Sequence, residues 1–309
     1  MTVRQRKITD REEWLNKWRP WNINASEAGA LFGIDQYCTP LMLYHRKLGT
    51  IPPEEETWAM RRGRWLEPAV LGATAELRPD LEIIQPGLYF DDPVLRIGCT
   101  PDGFATEKKS GRKGVVQAKT VAEHVWKEWM ITGELEAPLA YELQTMIEAM
   151  HTGRIDFALL SFMILGYGRI DLKIVEVPII VKTWDAFVKR VNRFWVDFAK
   201  GIAPPVSGDD SALIKQLYPG EPGAQIDLTS NNMLPGLLEK HDELQAALSA
   251  ARKPLKPLEK DYDAIRTEIK GMMGDAEFAL LPGGKCATLR EQTNPGWTAR
   301  VLRIKEVKG

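Results

Sequence analysis

Four polar residues in the first half of the chain have the types and spacing for phosphodiester hydrolysis. Asp102 lies in the turn "TPDG" between two strand-like runs, and the second run, "KGVVQAKT", carries Gln117 and Lys119 two residues apart. Side chains alternate along a strand, so Gln117 and Lys119 share a face, and a carboxylate at the end of the preceding strand can face both. Phosphodiester hydrolysis uses such a set: acidic oxygens hold Mg²⁺, the ion stabilises charge on the phosphate and activates water, and a lysine orients or deprotonates that water. Glu67, upstream in "GRWLEP", offers a further carboxylate. Each piece alone has a plainer explanation: "PDG" as an ordinary turn, Gln117 and Lys119 as a solvated strand face, Glu67 before Pro68 as an exposed helix residue. Their order and spacing on suitable elements favour the chemistry.

The elements that must hold these residues can be read from caps and periodicity. Asn24 or Ser26 caps a helix starting near Ser26, and Thr39, Pro40 and Gly49 bracket a second. Met60, Leu66, Val70 and Leu71 recur at helical spacing and predict a third helix containing Glu67. "EIIQPGLYFDD", "LRIGCTPDGFAT" and "GVVQAKT" then read as consecutive antiparallel strands separated by turn residues. "EAPLAYELQTMIEAMHTG" returns to helix with Gly153 as its stop, "FALLSFMIL" and "DLKIVEVPII" form a strand pair, and "WDAFVKRVNRFWVDFAKG" is an amphipathic helix. This order predicts an α/β (α+β) core, a central mixed sheet flanked by helices, over residues 1–205.

Residues 206–232 are rich in Pro, Gly and Asp and read as a linker. Residues 233–309 read as a helical extension. From Leu237 through Leu244, Leu248, Leu258, Ile265 and Met272, apolar residues alternate steps of four and three in a coiled-coil-like pattern. Pro254 and Pro257 interrupt it, so two helices should meet near Lys253 to Leu258, folded into a hairpin and not running as one rod. Such a pattern serves either an intramolecular helical pair or a partner-binding coiled coil. "FALLPGGKCATLREQ" and "WTARVLRIKEV" predict a terminal β-hairpin.

Composition sets the surroundings. The 309 residues are 44% hydrophobic, enough for a sizeable core, and the formal net charge is -1, so nucleic-acid contact must come from local basic patches. Cys38, Cys99 and Cys286 have neither pairing nor metal-ligand spacing and read as reduced thiols. No apolar run approaches the roughly 20 residues that span a membrane, and the N-terminus lacks a signal-peptide core. The expectation is a soluble cytoplasmic protein with no membrane partner.

Taken together, "GRWLEP", "CTPDG", "QAK", "YELQ" and the opening "WRPWNINASEAGALFG" resemble the YqaJ-type viral recombinases, relatives of phage lambda exonuclease among the PD-(D/E)xK nucleases. The resemblance covers roughly residues 10 to 200 and implies a restriction-endonuclease-like core. It implies metal ligation by Asp102, by Gln117 at the second acidic position and by the carbonyl of Ala118. By the same resemblance Lys119 contacts the nucleophilic water and the scissile phosphate, Glu67 supports the metal site, and Gln144 with Tyr141 orients the site or the DNA. Arg19 matches an arginine that binds a 5′-terminal phosphate, with Ser26 on the same anion. Asp92 falls at an acidic position of the family, although "FDDP" is equally a turn. The implied activity is Mg²⁺-dependent, with Mn²⁺ as a substitute: a 5′-to-3′ exonuclease on double-stranded DNA ends, leaving a 3′ single strand for an annealing protein. The implied assembly is a closed homo-oligomer, a trimeric ring.

Gln117 departs from the family pattern. Glutamine is isosteric with glutamate but uncharged, so it describes either a substitution that traps a DNA complex or a natural variant that is slow or relies on other carboxylates. A non-catalytic DNA-end-binding mediator is the competing class. An exonuclease also needs cations along the backbone path. Lys108, Lys109, Arg112 and Lys113 crowd the loop between the two site strands, and Arg61, Arg62 and Arg64 lie on the Glu67 helix. Of the dense N-terminal tryptophans, Trp14, Trp18, Trp21, Trp58 and Trp65, most are expected in the core and one or two against bases near a duplex end.

Overall fold

Leu159, Leu160, Ser161 and Phe162 are all buried, although they point alternately to opposite faces of their strand. A strand apolar on both faces must be central and covered on both sides. In a computed structural model of the chain, which describes residues 3–52, 55–131, 134–135, 137–294 and 297–306, that is the position it takes.

Along the chain, strand β1 (Arg4–Lys7), helix α1 (Arg11–Glu13) and strand β2 (Ile23–Asn24) precede helices α2 (Ala28–Phe32), α3 (Pro40–Leu48) and α4 (Trp58–Leu77). Strands β3 (Leu81–Ile84), β4 (Leu88–Asp92), β5 (Ile97–Cys99), β6 (Gly103–Glu107) and β7 (Lys113–Ala122) follow. After α5 (Glu123–Trp129) and a small ribbon, β8 (Met130–Ile131) with β9 (Glu134–Leu135), come α6 (Leu139–Thr152), β10 (Phe157–Gly166), β11 (Arg169–Glu176), α7 (Val181–Ala199) and α8 (Ser211–Leu217).

The main sheet has the order β11-β10-β7-β6-β3. Strands β3, β6 and β7 form an antiparallel set, α6 carries the chain to β10 parallel to β7, and β11 returns antiparallel. Val115, Leu160 and Phe162 belong to the cluster shared with α6 and α7, whereas Val116 and Leu159 pack with Leu71 of α4. The fold is therefore a mixed α/β sheet flanked by helices, as the pattern predicts. On the α4 side, the hydroxyls of Thr74 and Ser161 of β10 share a hydrogen bond at 2.9 Å, with Thr74 also bonded to the Val70 carbonyl, and both residues are fully buried.

Two strands go elsewhere than expected. β4 and β5 leave the β3–β7 run for a second sheet of order β1-β4-β5-β2. Asp91 of β4 accepts hydrogen bonds from Arg4 and Arg6 of β1, a long-range pairing that recruits the polar N-terminal strand. Gly103, the last residue of "TPDG", is needed for its size: a Cβ there would lie 2.8 Å from Leu71 Cδ2.

The chain divides into two units, Met1–Gly220 and Glu221–Gly309. The first extends past the boundary at residue 205. Asp210 accepts from Thr39 and caps Ser207, and Leu213 of α8 is buried with Leu41 and Ile51, a burial worth about 2 kcal/mol. The stretch read as a linker thus begins as a packed helical turn. In the second unit, α9 (Leu234–Arg252) and α10 (Leu255–Met273) precede strands β12 (Phe278–Leu281), β13 (Lys285–Asn294) and β14 (Trp297–Glu306). The terminal element is a three-stranded antiparallel sheet, one strand more than the predicted hairpin, and Met273, Ala287, Leu289 and Leu302 form its core. Lys253 and Pro254 keep right-handed helical angles, so α9 and α10 do not double back on each other. Pro254 and Pro257 fall at the start of α10, where a missing N–H costs no helical hydrogen bond. Leu237, Leu244, Leu248, Leu258 and Ile265 remain exposed, which removes the intramolecular helical pair.

Candidate functional site

A cleft of about 490 Å³ in the first unit is lined by Asp102, Glu67, Gln144 and Glu148, together with Arg19 and Ser26. The carboxylates of Asp102 and Glu67 thus open onto the same space as Arg19 and Ser26, whereas Gln117, Ala118 and Lys119 lie behind Asp102 and do not line it. Asp102 enters it from the turn before β6, and β7 supplies the neighbouring side chains because Gly103 pairs with Val116.

Asp102 Oδ2 accepts from the Ala118 amide at 2.9 Å and from Nε2 of Gln117. An amide facing a carboxylate oxygen must present its NH₂, so Gln117 Oε1 turns away, and that oxygen is buried without a partner among the described residues. A glutamate in the same place would set oxygen against oxygen. Burial, reinforced by the charge of Glu67, pushes the Asp102 carboxyl up to about 7 against the opposing pull of Lys119.

Lys119 Nζ donates to Gln144 Oε1 at 3.0 Å and lies 4.9 Å from the centre of the Tyr141 ring. Gln144 Nε2 in turn donates to Glu148 Oε1 at 2.9 Å, one helical turn further along α6. Glu148 is 1% exposed, and its second oxygen, Oε2, has no partner among the described residues. Burial, then the charge of Asp102, raises its carboxyl well above the usual range. Glu67, from α4, accepts from Gln85 at 2.6 Å; burial raises its carboxyl too, opposed by Gln85 and Lys119.

Arg19 Nη2 donates to Ser26 Oγ at 3.0 Å, and its guanidinium sits 5.1 Å from the Trp14 ring. The backbone beneath is fixed by a buried cation. Lys47 Nζ donates to the carbonyls of Arg19 and Asn22 and to Glu27, while Glu27 closes a capping box with Asn24. Asn24, and not Ser26, is the cap, which leaves the Ser26 hydroxyl free to meet Arg19.

The basic loop is not brought to the cleft. Lys113 opens β7 and Gln117 lies four residues on, so Lys108, Lys109, Arg112 and Lys113 occupy the turn about 13 Å away, at the other end of the hairpin. There Lys108 donates to the Pro79 carbonyl and Arg112 to the Asp156 carbonyl. Asp92 accepts from the Val94 and Leu95 amides, closing the turn between β4 and β5 away from the cleft. Tyr141 packs on Trp129 and Phe162 beneath Lys119. Basic residues that do line the cleft are Arg11, Arg19 and Arg64; Arg11 and Arg64 both pair with Glu56. Trp14 and Trp18 pack on Tyr89, whereas Trp21, Trp58 and Trp65 are exposed.

Among the described residues no three His, Cys, Asp or Glu side chains stand close enough to hold an ion unaided. The donors are nevertheless those a hard cation takes. Glu148, whose Oε2 is partnerless among the described residues, lines the cleft with the carboxylates of Asp102 and Glu67, and Mg²⁺ keeps several waters of its own. The set fits such an ion with Asp102 as its anchor.

Comparison with known proteins agrees with the motifs. Residues 13–155 match the YqaJ-like viral recombinase domain. The chain is 25% identical over 281 residues to the uncharacterized protein YqaJ of Bacillus subtilis (strain 168), covering 88% of this chain and 81% of that protein. Its fold is similar to an alkaline exonuclease from Laribacter hongkongensis at 18% identity, covering 62% of this chain and 94% of that one with a TM-score of 0.47. It is also similar to a phage-related exonuclease from Haemophilus somnus 129PT at 12% identity, covering 59% and 95% with a TM-score of 0.45.

Proposed function

From a chain whose residues 13–155 match the YqaJ-like viral recombinase domain, we propose a divalent-metal-dependent exonuclease that digests one strand of double-stranded DNA from its 5′ end. The observation that carries this reading is the shared cleft: Arg19 and Ser26 open onto the same space as Asp102, Glu67 and Gln144. In this reading Arg19 and Ser26 grip a terminal phosphate through charge-assisted hydrogen bonds. Asp102, the Ala118 carbonyl and, once its amide turns over from the contact with Asp102, the Gln117 amide oxygen would hold Mg²⁺ or Mn²⁺, and Lys119, steadied by Gln144, would orient the attacking water. When bound, the ion supplies stabilisation of phosphate charge and a more acidic water. The product is a 3′ single strand for an annealing protein, and the protein works as a closed homo-oligomer, a trimeric ring, in the cytoplasm. No helix among the described residues is long and apolar enough to cross a membrane.

The Gln117–Asp102 hydrogen bond favours a second reading, a catalytically weak DNA-end-binding recombination mediator. Linear duplexes bearing 5′ phosphate or 5′ hydroxyl, with Mg²⁺ or Mn²⁺ and both the natural chain and Gln117→Glu, separate the two. Cleavage that requires the 5′ phosphate supports the exonuclease. End binding with no cleavage by either form supports the mediator, and cutting of closed circles overturns both.

A further inference from the structure

We propose that Glu148 restores to the divalent-cation site the second negative charge that Gln117 does not supply. This rests on the metal-dependent reading of the cleft. Neither the spacing of "QAK" nor that of "YELQ" marks Glu148 as a site residue, and its assignment comes from what surrounds it.

Glu148 is a carboxylate at 1% exposure with one oxygen satisfied by Gln144 Nε2 and the other, Oε2, satisfied by nothing among the described residues. Structural carboxylates so deeply buried are held by a cation or by a full set of donors, because an unpaired buried charge is costly. Among the described residues no lysine or arginine pairs with Glu148; the nearby Lys119 is turned to the Gln144 amide. Glu148 lines the same cleft as Asp102 and Glu67, and these three carboxylates repel one another across it. Gln117 gives Asp102 its NH₂ and no negative charge, so nothing on the strand balances a divalent ion with Asp102. One divalent ion anchored on Asp102 would answer the idle Glu148 oxygen and the neighbouring carboxylates together, with Glu148 contributing charge directly or through a bound water. The Gln144 bridge then sets Lys119 and Glu148 at fixed places relative to one another, so the cationic and anionic ends of the site move as a unit.

The test reads metal and not cleavage. Mn²⁺ binding to the full chain, followed by electron paramagnetic resonance of the free ion without DNA, is measured for the natural protein, Glu148→Gln and Gln117→Glu/Glu148→Gln. The expected result is at least tenfold weaker binding for Glu148→Gln, with recovery to within about threefold of the natural chain in the double variant, where the charge has moved to the strand. Glu148→Gln binding within twofold of the natural chain overturns the proposal. Should that variant not fold, Fe²⁺ with ascorbate on the natural chain decides: backbone cuts near both 102 and 148 support it, and cuts near 102 alone overturn it. Glu148-dependent Mn²⁺ binding without cleavage of any duplex end leaves this assignment standing and removes the exonuclease. Cleavage with Glu148-independent binding does the reverse.

Discussion

Gln117 donates its side-chain amide to the carboxylate of Asp102, the contact that a shared cation makes between two carboxylates in a metal-dependent nuclease. The amide supplies positive hydrogen where an ion would supply positive charge. Gln117→Glu replaces that attraction with repulsion between buried carboxylates. Without divalent ions it should lose about 1–3 kcal/mol of stability, recover it on addition of Mg²⁺, and cleave duplex ends about a hundredfold faster or more. Thermal unfolding with and without Mg²⁺, alongside rates on linear duplex, checks this; equal rates for the two forms would show that Gln117 does not limit cleavage.

Lys119 has its Nζ on Gln144 and over the Tyr141 ring. Lys119→Met keeps the stem and removes the charge, so cleavage should fall by about 10²–10⁴-fold. Binding to a duplex end, measured by fluorescence anisotropy, should change little. A parallel loss of binding assigns Lys119 to the substrate grip instead.

Arg19, held on Ser26, should matter only when the end carries a phosphate. Arg19→Ala is expected to slow digestion of 5′-phosphorylated duplex by about tenfold or more, the size of a lost charge-assisted hydrogen bond. On 5′-hydroxyl ends the two proteins should be alike. Equal slowing on both ends contradicts the role.

Lys47 is a buried cation whose Nζ reaches Glu27 and two carbonyls. Lys47→Met leaves Glu27 without its partner and should cost about 3–5 kcal/mol. Adding Glu27→Gln should return part of it. Urea unfolding of the single and double variants reads both values, and a single-variant loss under 1 kcal/mol refutes the assignment.

His151, buried beside Trp184, has its imidazole held down to about 4 by burial, against the opposing charges of Asp92 and Asp91. The unfolded chain takes up that proton near pH 6.5 and the folded chain does not. Stability from the neutral ring is therefore full above pH 6.5 and declines as pH falls toward 4, by up to about 3 kcal/mol. His151→Leu should flatten this part of the pH profile in urea unfolding. An unchanged slope means another group carries it.

Caps and glycine stops make several elements legible in the sequence itself: Thr39, Pro40 and Gly49 bound α3, and Gly153 ends α6, as local chemistry requires. The period-two placement of Gln117 and Lys119 was equally readable, because it depends on one strand alone. Sheet membership was not. β4 leaves its neighbours because Asp91 meets Arg4 and Arg6, 87 and 85 residues away in the chain, and "RQRK" shows no strand signal of its own. The basic loop misleads for a geometric reason: a hairpin's turn and its open end lie at opposite ends, so only one can face the site. Glu148 is visible in sequence only as the residue four after Gln144. Its depth, and the idle oxygen it carries there, belong to the packed structure.

The hydroxyl pair of Thr74 and Ser161 has a reach beyond the helix turn it occupies. Seven residues separate Thr74 from Glu67, almost two full turns, so both project from the same side of α4. A helix resting on apolar contacts alone can roll on a sheet by small angles at little cost. One directional bond in a dry layer pins the roll, and with it the aim of the Glu67 carboxylate. Thr74→Val, nearly the same shape, would therefore act as a loosened set-screw, felt at the mouth of the cleft and hardly at all in the packing around the bond itself.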